Sequence, residues 1–321
     1  MTRSIFPFLA VVLLACVHDA RGASDWPTKP VHIIVPGSTG GVVDMRARWL
    51  ANRMSADIGQ PVIVENRPGA GGNIGTEAGA RSAADGYTLV MVHQGTLAAN
   101  PHMYKSLRYD PLRDLQPLTR IGYGPLMLAV NSASPVHSVD ELVSLARTRR
   151  LTYGTPGVGT PPHLAVELFL RSRGIEATHI PYNGGGKAVS DLMGGVTDFE
   201  IEGLTVLYPQ VKAGRLRALA ITSEERSATC PEVPTMRESG VPGYAFYGWV
   251  GIALPTGTPP SVAQRVYEAV ARAMRTPEAR EWFATFAANP DPDTPEQFAR
   301  VIRDDYERLG NVIRAAAIQP E

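Results

Sequence analysis

The sequence predicts an α/β protein of two similar units followed by a helical segment. Three observations carry this. Residues 31–92 alternate short β-branched runs with amphipathic stretches in the order β-α-β-α-β. The same alternation returns between residues 126 and 221. From residue 261 onward, helix-start signals and an apolar stripe at helical spacing take over. Strands alternating with helices specify a largely parallel sheet, because parallel strands need a crossover and the crossover is usually a helix.

In the first unit, VHIIV at 31–35 reads as a strand. Val43, Ala47, Leu50, Met54 and Ile58 then recur at helical spacing. Residues 62–64 form a second strand, 73–82 a helix and 89–92 a third strand. In the second unit, 126–130 is a strand, and Ser138 with Glu141 makes a capping box that opens a helix through 146. Strands follow at 151–153, 178–180, 199–201 and 216–221, with helices at 164–171, 188–193 and 206–213. Beyond these, Ser261 with Gln264 reads as a further capping box, and Thr276-Pro277 and Thr294-Pro295 as helix starts. In the last helix Phe298, Val301, Ile302, Leu309, Val312 and Ile313 form a stripe that needs a surface to lie on. Strand-like runs at 118–123 and 247–253 are expected to carry the chain between the units. Two crossings give a discontinuous first domain, 23–124 plus 247–321, and a continuous second one, 125–246.

Composition narrows the function. Of 321 residues 44% are hydrophobic, and 31 basic residues balance 31 acidic ones. A neutral chain lacks the electrostatic footprint of a nucleic-acid binder, so none is expected as partner. Residues 1–22 read as an export signal: Arg3, an apolar run from 5 to 16 broken by Pro7, then Ala20-Arg21-Gly22. The run is too short to span a bilayer. Cleavage before Ala23 and a periplasmic location are expected; Leu13-Leu14-Ala15-Cys16 offers a lipoprotein alternative. Either way Cys230 has no intrachain partner, and it reads as a structural thiol.

Two glycine-rich loops stand between a strand and a helix. One holds Gly37, Ser38, Thr39, Gly40, Gly41 and Val42, and the other Gly157, Val158, Gly159 and Thr160. Helix starts present unpaired amides and a favourable dipole to anions, and ligands of open α/β sheets bind at the carboxyl ends of strands. Neither loop contains Lys or Arg, so amides and not a cation are expected to hold an anion, with Gly40 and Gly159 intolerant of side chains. Asp44 complements the first turn of its helix. Lys187 is expected at the surface. Gly69, Gly71 and Gly75 make only a loose dinucleotide pattern, for which a tight turn suffices. Glu200 and Glu202 lie two apart in a strand and face one side. No G-x-S-x-G, H-E-x-x-H or C-x-x-C occurs, so no enzyme activity, cofactor or metal is expected.

Long ordered stretches resemble a known family: ENRPGAGGNIG followed by DGYTL, then YGTPGVGTPPHLAVELF, THIPYNGGGKAVSDLMGG and GIALPTGTP. Through them the chain resembles the Bug/TctC family of periplasmic receptors, the binding components of tripartite tricarboxylate transporters. The resemblance implies a two-domain Venus-flytrap fold with a cleft. It implies that the two loops hold a carboxylate, with a third contact at Gln94, Gly95 and Thr96. His163, Tyr182 and the acidic Glu202 complete the expected site, Glu202 facing a hydrogen-donating group of the ligand. It implies as partners a small organic acid, an amino-acid-like or aromatic carboxylate, and membrane transporter subunits, with the receptor a monomer. A ligand sensor for a membrane signalling partner, or an enzyme using Glu202 with His163 or Asp44, stand as alternatives. The first loop reads GSTGGVVD where the family usually has FPPGGGTD, which leaves that part of the site open.

Overall fold

The computed structural model describes residues 26–285, 287–290 and 292–315. The expected export signal and Cys16 lie outside the described residues. The first unit runs β1 (Val31–Val35), α1 (Val42–Ile58), β2 (Val62–Asn66), α2 (Asn73–Ala80) and β3 (Thr88–His93). After a π-helical turn at Gly95–Ala99 and the short α3 (Asn100–Met103) comes β4 (Leu115–Asn131). The second unit holds α4 (Val139–Thr148), β5 (Leu151–Thr155), α5 (Pro161–Arg173), β6 (Ala177–Pro181), α6 (Gly185–Met193), β7 (Phe199–Gly203), α7 (Leu204–Lys212) and β8 (Leu216–Ile221). The chain returns along β9 (Tyr247–Pro255) and ends in α8 (Pro260–Met274), α9 (Pro277–Ala284) and α10 (Pro295–Ala315).

The strands hydrogen-bond in the order β2-β1-β3-β9-β4-β7-β5-β6, with β8 also on β4. β1 is parallel to β2 and β3, and β5 is parallel to β6 and β7. The runs expected as separate strands at 118–123 and 126–130 are one strand. β4 pairs antiparallel with β9 from Leu115 to Pro125, then with β7 and β8 from Leu126 to Asn131. Its register slips between Arg120 and Tyr123, so Gly122 stands in a bulge with φ +139°. A bulge leaves one carbonyl outside the ladder and bends the strand.

Local chemistry explains most helix ends. Ser138 Oγ accepts from the amide of Glu141 at 3.1 Å, and Glu141 reaches back to the amide of His137 at 2.6 Å, one residue before the expected partner. Thr294 and Gln297 make the reciprocal pair, and Thr276 caps α9. The expected box at Ser261 and Gln264 does not form. α8 starts a residue earlier at Pro260, whose fixed φ suits a first helical position, and Gln264 bonds Glu268 instead.

Each unit has its own core. Val31, Ile33, Leu50, Met54 and Leu89 pack with Ile252 and Val266 in one; Leu128, Tyr153, Phe169, Phe199 and Ile201 pack together in the other. α10 lies on both: Phe298 and Ile302 meet Val90 and Trp249, while Leu309 and Ile313 join the second unit's core with Ala98, Ala99 and Met103. The apolar stripe thus ties the two halves along one side. Cys230 is fully buried, and burial pushes its thiol up to about 11, which fits an inert structural residue.

Candidate functional site

A cavity of about 890 Å³, part of it open to solvent, lies where the carboxyl ends of both parallel strand sets meet. The starts of five helices border it: Gly41 and Val42 of α1, Gly72 ahead of α2, Thr160 and Pro161 of α5, Gly184 and Gly185 of α6, and Gly203 and Leu204 of α7. Gly124, Pro125 and Leu126 of β4 and Gly248, Trp249 and Val250 of β9 close the remaining side. The opening amides of a helix have no partner within it, and each dipole adds partial positive charge.

The two predicted loops differ once their amides are followed. In the first, Gly40 N–H donates to Asp44 at 2.9 Å. Asp44 also accepts from Arg48 and Asn66 at 2.9 Å each, and Asn66 donates to the Gly37 carbonyl at 3.0 Å. Asp44 is therefore a loop clamp. It leaves Gly37, Ser38, Gly41, Val42 and Val43 facing the cavity, while Thr39 and Gly40 do not border it. A Cβ at Gly40 would meet nothing, so its glycine is required by φ +84° and not by space. In the second loop, Gly157 N–H donates to Thr155 (3.2 Å), Gly159 N–H to His163 Nδ1 (3.2 Å) and Thr160 N–H to the Gly157 carbonyl (3.4 Å). Pro161 and Pro162 have no N–H. This loop spends its amides on itself, and of its predicted residues only Thr160 borders the cavity. It offers a helix dipole with few donors.

The remaining predicted residues lie behind the lining. Gln94 donates to Asp305 at 2.8 Å, Gly95 packs beneath the Gly159 carbonyl, and Thr96 bonds back to His93. His93 itself borders the cavity; burial lowers its imidazole to about 4, so it is neutral. His163 is buried against His179, ring centroids 4.3 Å apart, and is lowered to about 3 mainly by burial. The Tyr182 hydroxyl donates to Asp191 at 2.8 Å, and the three residues after it line the cavity instead. Val158 points its carbonyl at Tyr104 and at Gly71. Lys187 is exposed and paired with Asp191.

Sequence reading missed three contributors. Gly69 and Gly71, set aside as a plain turn, border the cavity together with Gly72; the density of glycine was the available signal, and the structure holds all three at positive φ. Asn183 to Gly185 sat inside a quoted motif without a role. Arg46 also borders it, a cation beside the two loops, which themselves contain neither Lys nor Arg. It lay just outside the loop, a charge on the apolar face of α1.

Glu202 borders the cavity and is buried; its Oε1 accepts from the Gly203 amide at 2.7 Å. A Cβ on Gly185 would stand 2.9 Å from Oε2, so a glycine at the start of α6 makes room for this carboxyl. Glu200 is fully buried behind it, and neither carboxyl oxygen has a hydrogen-bond partner. Burial pushes Glu202 up to about 7 and Glu200 well above the carboxylate range, the neighbouring Glu202 charge adding to the latter. Both hold protons in the fold that the unfolded chain releases from about pH 4.5 upward. Stability is therefore full below about pH 4.5 and is lost progressively as pH rises from there through about 7. Glu200→Gln should flatten the fall in melting temperature between pH 5 and pH 8. An unchanged slope in calorimetric melts would show that Glu200 does not titrate there.

The tripartite tricarboxylate transporter family receptor model matches residues 46–318. The chain belongs to that family. It is similar to BugT of Bordetella pertussis, 37% identical over 317 residues, which cover 98% of this chain and 97% of BugT. An R. palustris protein solved with adipate superposes with a TM-score of 0.90 at 35% identity, over 92% of this chain and all of that one. MatC from Rhodopseudomonas palustris with bound malate does so at 0.86 and 29%, over 90% of this chain and 100% of MatC. As a family receptor, the chain is a periplasmic-type solute-binding protein with the two-domain fold expected from its sequence. Among the described residues no helix is long and apolar enough to cross a membrane.

Proposed function

We propose that this receptor captures a small carboxylate-bearing solute in the periplasm and delivers it, as a monomer and chemically unchanged, to membrane subunits of a tripartite transporter. The observation that carries the reading is the convergence of five helix starts on one cavity beside the buried Glu202. The unpaired amides of Val42 and Val43 hold the carboxylate, and Glu202 accepts a hydrogen bond from a hydroxyl or ammonium group on the same solute. Relatives solved with adipate and malate support the ligand class. Closure brings residues 125–246 onto residues 23–124 and 247–321, bending where β4 and β9 pass between them. Closure is favoured to the extent that the solute prefers the closed form.

Catalysis is disfavoured by what surrounds the acids. Asp44 is held by Arg48 and Asn66, His163 is turned toward His179 and Gly159, and the Glu202 carboxyl accepts from the amide of Gly203. None of these can pass a proton to another.

Native mass spectrometry of protein purified from a periplasmic extract of cells expressing the full chain tests the proposal. A chain shortened at Ala23 with a co-purifying carboxylic acid is expected. Recovery in the cytoplasm with an intact N-terminus, or a ligand without an acid group, would overturn the corresponding part.

A further inference from the structure

Arg46 is a buried cation with no carboxylate partner among the described residues. It lies on α1, is 6% exposed and borders the cavity. Its Nη1 donates to the carbonyl of Gly122 at 2.8 Å, and its guanidinium stands 5.7 Å from the centre of the Phe283 ring. Its Nε has no hydrogen-bond partner, and among the described residues no carboxylate pairs with it. The half-buried Arg120 nearby is treated differently: it meets both oxygens of Asp293. Taking an ion out of water costs several kcal/mol unless a partner repays it, and one neutral carbonyl is a poor repayment. Burial lowers this guanidinium to about 10, so it stays charged at neutral pH.

The fold makes room for this charge. The accepting carbonyl belongs to Gly122, the bulge residue of β4, where the ladder with β9 slips. A Cβ at Gly122 would stand 3.1 Å from Arg46 Nη1 and 2.7 Å from Phe283, so only glycine leaves this space. Arg46 also lies four residues after Val42, on the same face of α1 and about one turn, ~5.4 Å, along it. An anion at the opening amides of α1 and a second one at Arg46 are therefore a short carbon chain apart.

We infer that Arg46 is a specificity-determining residue, the side-chain partner of a second anionic group on the solute, so that this receptor selects diacids over monoacids. The inference rests on the carboxylate reading above and adds to it a distal charge and the residue that meets it. The fork of the guanidinium suits a carboxylate held by two parallel hydrogen bonds.

The test is a calorimetric titration with straight-chain diacids from succinate to adipate and the half-amide of each. The half-amide keeps the shape and removes one charge. The parent protein is expected to prefer its best diacid over that half-amide by at least tenfold. Arg46→Met keeps length and apolar stem, and because relief of the buried charge offsets the freed Gly122 carbonyl, the melting temperature of the ligand-free protein should change little. In that variant the preference should shrink to within about twofold, while the half-amide binds as it does to the parent. Arg46→Lys, which retains charge without the fork, should fall between the two. Should the methionine variant fail to fold, an unchanged preference in the lysine variant overturns the proposal, and a loss of threefold or more supports it. Equal binding of diacid and half-amide by the parent, or full preference retained by Arg46→Met, makes Arg46 a brace between α1 and β4 only. Binding of no acid or half-amide at all would instead sink the carboxylate reading itself.

Discussion

Gly71→Ala is expected to weaken solute capture by on the order of a hundredfold, a cost of about 2–3 kcal/mol, as for forcing an extra carbon into a packed site. Gly71 stands at φ +60° with its α-carbon against the backbone of the second unit. A Cβ there would lie 2.0 Å from the Val158 carbonyl oxygen and 2.9 Å from the Tyr104 hydroxyl. Backbone cannot rotate aside as a side chain does, so the two loops must part. Gly184 makes a second such approach, its Cβ position colliding with Ser38. The substitution also carries the ordinary left-handed penalty, about 1–2 kcal/mol, which has nothing to do with ligand. Gly214→Ala supplies the control: φ is +70° and nothing lies within 4 Å. Both variants should lose similar stability without solute, while only Gly71→Ala loses affinity. Equal affinities in the two variants would show that the cleft need not close this tightly to bind.

Glu202→Ala should weaken binding at least tenfold, since losing a buried charged partner costs about 2–5 kcal/mol. The pH profile separates its possible roles. Because burial holds the carboxyl near 7, a ligand group that donates to the carboxylate binds more tightly as pH rises from 6 to 8, by displacing the proton. Glu202→Gln cannot titrate, and its affinity should be flat over that range. Isothermal titration at both pH values decides the matter. Affinity that instead rises toward pH 6 would make Glu202 a proton donor to a ligand carboxylate, and unchanged affinity in Glu202→Ala would remove it from the site.

The two substitutions act on different layers of the same construction. Gly71 concerns how near the backbones approach; Glu202 concerns what charge they enclose. Arg46 adds the opposite charge a turn along α1. With Asp44 at the cavity edge paired to Arg48, the remaining groups, neutral His93, protonatable Glu202 and charged Arg46, leave the site no fixed net negative charge at neutral pH. That state favours an anionic solute before any single contact is counted.

Much of the fold was legible beforehand because it rests on local rules. The strand at 31–35 and the helix after it follow from hydrophobic period alone. The caps at Ser138, Thr276 and Thr294 follow from a side chain reaching an amide three residues on. Where two local rules competed, the sequence reading erred. Pro260 could open α8 as well as Ser261 could cap it, and the proline prevailed. The continuity of β4 was invisible for a related reason. Gly124 and Pro125 stand between the two runs expected as separate strands, 118–123 and 126–130, yet pairing with β9 on one side and β7 on the other carries the strand through.

The site divides in the same way. Periodicity placed Glu200 and Glu202 on one face of a strand, and glycine content placed two loops ahead of helices; these are properties of a chain segment and its neighbours. Which amides of those loops remain free is not such a property. It depends on His163 turning its ring to Gly159 and on Asp44 turning to Gly40, contacts made within four residues but chosen by packing. Arg46 could be seen as a charge on an apolar face, but not that among the described residues it meets a carbonyl and no carboxylate, because that is a statement about every element around it. The sequence by itself determined the elements, their order and the chemical character of the loops, since hydrophobic period, capping and backbone freedom act over a few residues. The tertiary structure alone decided which backbones touch, which amides are spent and which charges are paired, because backbone approach and charge pairing depend on chain segments tens of residues apart, and even the short-range amide contacts depend on rotamers that the packing of those segments selects.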